Sequence, residues 1–287
     1  MRVEILGSGG AATIPRPGCV CRACTTARAL GGRHCRTGPS VFVHGPDIVF
    51  DTPEEAKLQL ERAGIGEITA CFYSHWHPDH TLGRRVWETR NGDFRTWPVE
   101  AKRPKVTDIY LPEQVARDHR RWLGGMAHLE FLRDRGWIRL HELVDGDTVT
   151  IGTTLIRPFR LDESYVYAFE LTDRGKRLLV AMDELNGWVP PDEVKGCDVA
   201  VLPMGICEFH PLTGERMIDV EHPVLRYEAT LAETLEMVDA LAARHVILHH
   251  IEEMDELTYD DLLLVEEQQR AAGRPITFAW DGLAVDA

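Results

Sequence analysis

Residues 74–83, SHWHPDHTLG, gather His75, His77 and His80 around Asp79, so three of the chain's 13 histidines fall within six positions. His75 and His77 are one residue apart; on an extended segment they leave the backbone on the same side and can grip one cation. Pro78 ends the extended run and turns the chain. Asp79 and His80 then offer an oxygen and a nitrogen to a second cation nearby. Imidazole and carboxylate together suit zinc, manganese or iron. Two such ions about 3.5–4 Å apart form a clamp for hydrolysis. One histidine alone would not support this reading; the order His-x-His-x-Asp-His, closing the apolar run EITACFYSH, does.

The composition bounds the partners. In 287 residues, 44% hydrophobic and 27% charged, there is material for a sizeable core. A formal net charge of −14 argues against a broad grip on a long nucleic acid, which needs clustered lysine and arginine. It leaves room for a small anionic substrate held at a metal. No run approaches the roughly 18 apolar residues of a membrane span. The opening MRVEILGSGG has no basic segment leading into an apolar one, so a cytoplasmic protein is expected. Of seven cysteines, Cys19, Cys21 and Cys24 are packed together. Three thiolates so spaced suit one tetrahedral structural zinc, its fourth ligand drawn from elsewhere, pinning the loop after the first strand.

Along the chain, SVFVHGPDIVFD reads as a hairpin about Gly45-Pro46-Asp47. TPEEAKLQLERAGI reads as a helix capped by Thr52, with Pro53 at its first position and Ala56, Leu58, Leu60 and Ile65 facing inward. TLAETLEMVDALAA reads as an amphipathic helix with a Thr230–Glu233 capping box. Strands interspersed with helices, without a linker or short repeat, suit two packed sheets covered by helices in one domain over residues 1–287. Residues 86–105 and 119–141 fit the sheet pattern poorly and are expected as insertions over one rim.

SHWHPDH resembles the signature of the metallo-β-lactamase superfamily, and the likeness extends over LGSGGA, DIVFDT, LLVAMD, VILHHI and AWDG. It implies an α/β fold, a four-layer αββα sandwich with metals at one edge. It also implies that Asp183 bridges two ions and that His250, rather than the adjacent His249, completes the second. GSGGAATIPRPGCVCRACTTAR resembles the start of the phosphoribosyl cyclic phosphodiesterase branch tied to the carbon–phosphorus lyase pathway. Pyrroloquinoline-quinone biosynthesis proteins share a similar loop. In that branch a histidine three residues beyond the last metal histidine completes the cysteine zinc. Glu253 stands there in this chain, with His249, His34 and Cys35 as alternatives.

Two further departures concern the reaction. RPFRLDESYVYAFEL has no histidine where the superfamily supplies a third one to the first ion, which leaves Asp162 or Glu163 as donor. Oxygen in place of nitrogen favours harder ions such as manganese. The branch's histidine for the phosphate or the leaving oxygen is replaced by Glu228, while His222 and His210 are loop candidates for the same cavity. The expectation is a hydrolase with a dinuclear site, acting on a small phosphodiester, cyclic ones included, through a hydroxide bridging the ions. Asp79 would ligate and orient, and Arg84, Arg85, Arg120 and Arg121 are candidate cationic contacts. The alternatives are a lactone- or amide-cleaving enzyme and a non-catalytic biosynthetic or binding protein of the same fold. A homodimer is compatible with all three.

Overall fold

A computed structural model describes residues 1–102 and 106–287. The first half of the chain forms β1 (Arg2–Gly7), α1 (Arg22–Leu30), β2 (Ser40–His44), β3 (Ile48–Phe50), α2 (Ala56–Arg62), β4 (Ala70–Phe72) and α3 (Pro78–Thr81). There follow α4 (Val86–Asn91), β5 (Gly92–Asp93), β6 (Glu100–Ala101), β7 (Thr107–Pro112), α5 (Glu113–Arg121), α6 (Gly125–Asp134) and β8 (Ile138–Leu143). The second half forms β9 (Val149–Ile151), β10 (Thr154–Arg160), β11 (Tyr167–Asp173), β12 (Lys176–Ala181) and β13 (Val199–Pro203). It closes with α7 (Leu231–Leu241), β14 (His245–His249), α8 (Tyr259–Ala271), β15 (Ile276–Phe278) and β16 (Ala284–Asp286).

Two seven-stranded sheets result, ordered β16-β1-β2-β3-β4-β7-β8 and β15-β14-β13-β12-β11-β10-β9. In the first, β16 through β3 pair antiparallel and β3 through β8 parallel. In the second, β9 through β12 pair antiparallel and β12 through β15 parallel. Alternation along the strands decides which layer each side chain joins. On β12, Leu178 and Val180 enter the core between the sheets, whereas Leu179 and Ala181 pack beneath α7 and α8. β13 is buried on both faces, which is why its sequence VAVLP shows no polar alternation. Phe50, Phe72 and Phe169 form the seam between the sheets, with ring centroids 4.9–5.7 Å apart. With α2, α5 and α6 outside the first sheet, the four layers are complete.

Two local expectations change. The helix expected from Thr52 begins at Ala56, because Thr52 Oγ1 meets the Tyr73 hydroxyl at 2.7 Å and its carbonyl accepts from Gly83 N. On that helix Leu58 faces solvent and Gln59 is buried, spending its amide on Thr37 Oγ1 and the Gly38 carbonyl. Residues 119–141, expected as a rim insertion, carry α6 and lead into β8, which joins the first sheet by pairing with β7 along six residues. Residues 86–102 carry α4 and the β5–β6 ribbon, outside both large sheets, and the last three residues of the expected 86–105 insertion lie outside the described residues. No helix among the described residues is long and apolar enough to cross a membrane.

Candidate metal centre

The ends of four parallel-paired strands define one edge of the molecule. β3 runs into Asp51, β4 into Tyr73-Ser74-His75, β12 into Met182-Asp183 and β14 into His250. Polar groups at the carboxyl ends of parallel strands are where α/β sheets place ligands. Asp51 (φ 57°), Glu184 (φ 43°) and His250 (φ 51°) adopt left-handed backbone without being glycine, a strain that concentrates at functional sites. SHWHPDHTLG itself is held by close backbone approach. Gly83 N donates to the Thr52 carbonyl at 2.9 Å, and a Cβ at Gly83 would lie 1.8 Å from the Pro53 carbonyl oxygen, so only glycine closes this turn.

The donor atoms converge in two neighbouring groups, His75–His77–Asp183 and Asp79–His80–His250, with Asp51 gathered against His75 and His80 behind them. Asp183 Oδ2 lies 3.3 Å from His75 Nε2, 4.0 Å from His77 Nδ1 and 3.6 Å from His80 Nε2. His250 Nε2 is 3.4 Å from Asp183 Oδ1, 3.6 Å from Asp79 Oδ2 and 3.3 Å from His80 Nε2. Asp183 thus faces both groups.

Hydrogen bonds behind the histidines fix which nitrogen is presented. Asp51 accepts from Ser74 N at 2.8 Å and Ser74 Oγ at 2.5 Å, and meets His80 Nδ1 at 2.7 Å. With its proton on Asp51, Ser74 Oγ accepts from His75 Nδ1 at 2.9 Å. His75 and His80 are therefore protonated at Nδ1 and turn an Nε2 lone pair forward, the tautomer a metal ligand needs. His250 Nδ1 faces Glu252 Oε1 at 3.3 Å, to the same effect. His77 has no such carboxylate behind it; the rings of Trp76 and Tyr165 flank it at 4.8 and 5.5 Å.

This arrangement fits cations and little else. Two imidazole Nε2 lone pairs 3.3 Å apart repel unless a positive charge sits between them. His75 Nε2 is fully buried and makes no hydrogen bond. Burial opposes charge on His80 and His250, yet Asp79 and Asp183 outweigh it and hold both imidazoles well above their ordinary range. Burial and then His75 push His77 down to about 4. Burial raises Asp79 and Asp183, but the surrounding histidines pull both well below the ordinary carboxylate range. A cluster so demanding of positive charge is the electrostatic signature of a metal site.

The other sequence candidates divide. Asp162 is exposed and stands against Gly187, and neither it nor Glu163 is part of either donor group. Tyr165, three residues on, occupies that side, its ring 6.1 Å from His75 and 5.5 Å from His77. Nothing in the residue pattern singled it out, since a turn's side-chain directions cannot be read from spacing. Glu228 does reach the site: it stands beside Glu184 and lines a cavity with Asp183 and His250. Burial, then Glu184, pushes Glu228 up to about 9.

His222 and His210 spend their Nδ1 atoms on turn amides of their own loops. Arg84 is buried on the carbonyls of Thr81 and Leu123, Arg85 pairs with Glu88, Arg120 with Glu142, and Arg121 covers Trp122. His249 turns its ring away, Nε2 donating to the Ala181 carbonyl.

The cysteine cluster is 19–24 plus Glu253, the other fourth-ligand candidates standing apart. Glu253 Oε1 lies 2.9 Å from Cys19 Sγ and 3.5 Å from Cys21 Sγ and Cys24 Sγ, while Arg16 pairs with its other oxygen at 3.2 Å. Amides of Arg16, Cys21 and Cys24 point at the sulfurs, as they would at thiolates. Burial pushes the Cys21 thiol up to about 12, a cost that binding a metal would reverse.

A family model described as the beta-lactamase superfamily domain matches residues 41–251, well over half the chain. The ribonuclease Z of Myxococcus xanthus (strain DK1622) is 30% identical over 114 residues, 39% of this chain. That stretch is 34% of the ribonuclease, so the chain spans about a third of the length of this curated relative. Among solved structures, a diphosphatase from the PhnP family superposes with a TM-score of 0.70 at 20% identity, covering 100% of this chain and 97% of that one. Zn(2+)-bound PqqB from Methylobacterium extorquens superposes with a TM-score of 0.66 at 16% identity, covering 100% of both chains. The two-sheet architecture, the donor groups at its strand ends and the family match together make this chain a member of the metallo-β-lactamase superfamily.

Proposed function

We propose that the protein is a metal-dependent phosphodiesterase acting on a small anionic phosphodiester. The observation that carries this reading is the meeting of His80 Nε2 and His250 Nε2 at 3.3 Å, with Asp79 and Asp183 carboxylates around them. His75, His77 and Asp183 would hold one divalent ion; Asp79, His80 and His250, with Asp183 shared, would hold another. Zinc and manganese fit these donors best, iron also. When bound, the ions supply Lewis acidity toward a phosphoryl oxygen and lower the pKa of water.

The chain's own residues do the rest. Asp51 and Ser74 keep His75 and His80 in one tautomer, so the donors need no reorganisation. Asp79 faces His80 and His250 and is placed to orient an attacking water. Glu228, holding its proton beside Glu184, is placed to deliver it from Oε to the leaving oxygen, in the role of a general acid. A small substrate is favoured by the net charge of −14, which repels a long polyanion beyond the reach of the two ions. The cysteines and Glu253 would hold a separate structural zinc, and the protein would work in the cytoplasm.

The test is a panel of phosphodiesters (cyclic and linear), lactones and a precursor transfer RNA, offered to metal-reconstituted protein. Turnover of small phosphodiesters is expected. Turnover of lactones alone, or of the RNA alone, would contradict the reading.

A further inference from the structure

His75, His77 and Asp183 bring three donor atoms together, and no fourth joins them among the described residues. Three protein donors leave a position free for water or substrate, as catalytic metal sites do. Tyr165 stands beside this group, its ring centroid 6.1 Å from that of His75 and 5.5 Å from that of His77. The turn that carries it is fastened to the histidine motif itself: Tyr167 N donates to the Ser74 carbonyl at 3.1 Å. Within the turn, Val166 N donates to the Glu163 carbonyl at 3.0 Å. Half-buried, the Tyr165 ring packs against the apolar layer beneath α7 and α8, so its direction is set by the fold.

The hydroxyl of this ring is unspent. Tyr73 meets Thr52 Oγ1 at 2.7 Å and accepts from Trp87 Nε1 at 3.0 Å, and Tyr167 donates to Asp145 Oδ1 at 2.9 Å. Tyr165 makes no such bond among the described residues. A phenol packed into a protein ordinarily finds a partner for its O–H, and a ring that only filled space would be served by phenylalanine. Asp183 is the charged group that acts most strongly on Tyr165, ahead of Glu163, Glu184 and Glu228, which sets its oxygen toward the donor edge. The arginines of the neighbouring loops are not available there, since Arg84, Arg85, Arg120 and Arg121 are engaged elsewhere.

We propose that the Tyr165 hydroxyl is a catalytic hydrogen-bond donor to a non-bridging phosphoryl oxygen of the substrate. The inference rests on the phosphodiesterase reading, which puts the scissile phosphate on the donor edge beside His75, His77 and Asp183. A phenol keeps its proton at neutral pH, its ordinary pKa being about 10, so it enters as a donor. A non-bridging oxygen gains negative charge as a nucleophile attacks phosphorus, and a donor already aimed at it stabilises that charge without reorganising. The proton stays on Tyr165 throughout. Glu228 serves a different atom, the leaving oxygen, so the two residues divide the work.

Tyr165→Phe, which keeps the ring and removes only the hydroxyl, tests this on the metal-loaded protein. Calorimetric titration with inorganic phosphate reads the donor without turnover, and the variant is expected to bind it about tenfold more weakly. On a phosphodiester, kcat should fall on the order of 10²-fold, the scale of one lost oxyanion donor, with KM changed far less. Metal content and melting temperature should match the wild type. Equal phosphate affinities in the two proteins, phosphate binding to neither, or an unchanged kcat would overturn the assignment. So would an ion lost together with the hydroxyl, since Tyr165 would then be holding metal. A weakened phosphate affinity in protein that cleaves no phosphodiester would keep the donor and remove the reaction, so the two failures are distinguishable.

Discussion

Asp51 and Asp183 occupy matching places in the two sheets. Each follows the strand, β3 or β12, at which antiparallel pairing gives way to parallel. Their fates differ. Asp51 is 0% exposed and wholly engaged by Ser74 and His80. Asp183 has one amide donor, Glu184 N at 2.8 Å, and otherwise faces imidazole nitrogens. A carboxylate at a strand end becomes a support when the fold supplies its donors, and a ligand when the fold withholds them. The first sheet contributes the contiguous histidine motif together with its support. The second contributes Asp183 and His250 and, behind them, the acidic cavity.

The sharpest way to break this comparison is to exchange the charges. Asp183→Asn should cost at least about 10³-fold in kcat/KM, because it would remove the carboxylate proposed to be shared by the two ions. Glu228→Gln should cost about 10²-fold, the scale of a lost general acid. On the proposed mechanism Glu228 acts in its protonated form, so the wild-type rate should fall as pH rises through its value of about 9, displaced downward by bound cations. The variant's pH profile should lack that alkaline limb.

Asp51→Asn should weaken metal affinity by about 10–100-fold, as loss of a partner behind metal-binding histidines does, with less effect on kcat once metal saturates. Were Asp51→Asn as damaging to kcat as Asp183→Asn at saturating metal, the distinction between support and ligand would fail. Glu253→Gln should leave kcat within about twofold while lowering the Tm by about 5 °C, since it loosens only the cysteine loop. Calorimetric melting and steady-state rates on the same preparation decide that last case.

What the residue order made legible was whatever is local. His75, His77, Asp79 and His80 lie on one turn, so their spacing carries their geometry. Asp183 and His250 came from resemblance to a family, and the structure brings both to the cluster while turning His249 away. Glu253 stayed one option among four because it returns to the cysteines across 234 residues. Asp162 lies apart from the donor groups and Tyr165 was overlooked for a single reason: both sit on the β10–β11 turn, where direction is set by packing and not by period. The β8 edge strand was hidden inside an expected insertion because its pattern IRLHEL is half exposed and only β7 gives it a partner.

The most direct measurement is a count of divalent ions per chain, by elemental analysis of protein reconstituted with zinc and, separately, with manganese. Three zinc ions are expected in the wild type, two of them lost in a His75→Ala/His80→Ala variant and the third lost in Cys21→Ser. A protein that takes up only the cysteine-bound ion, and no more in excess metal, would contradict the account.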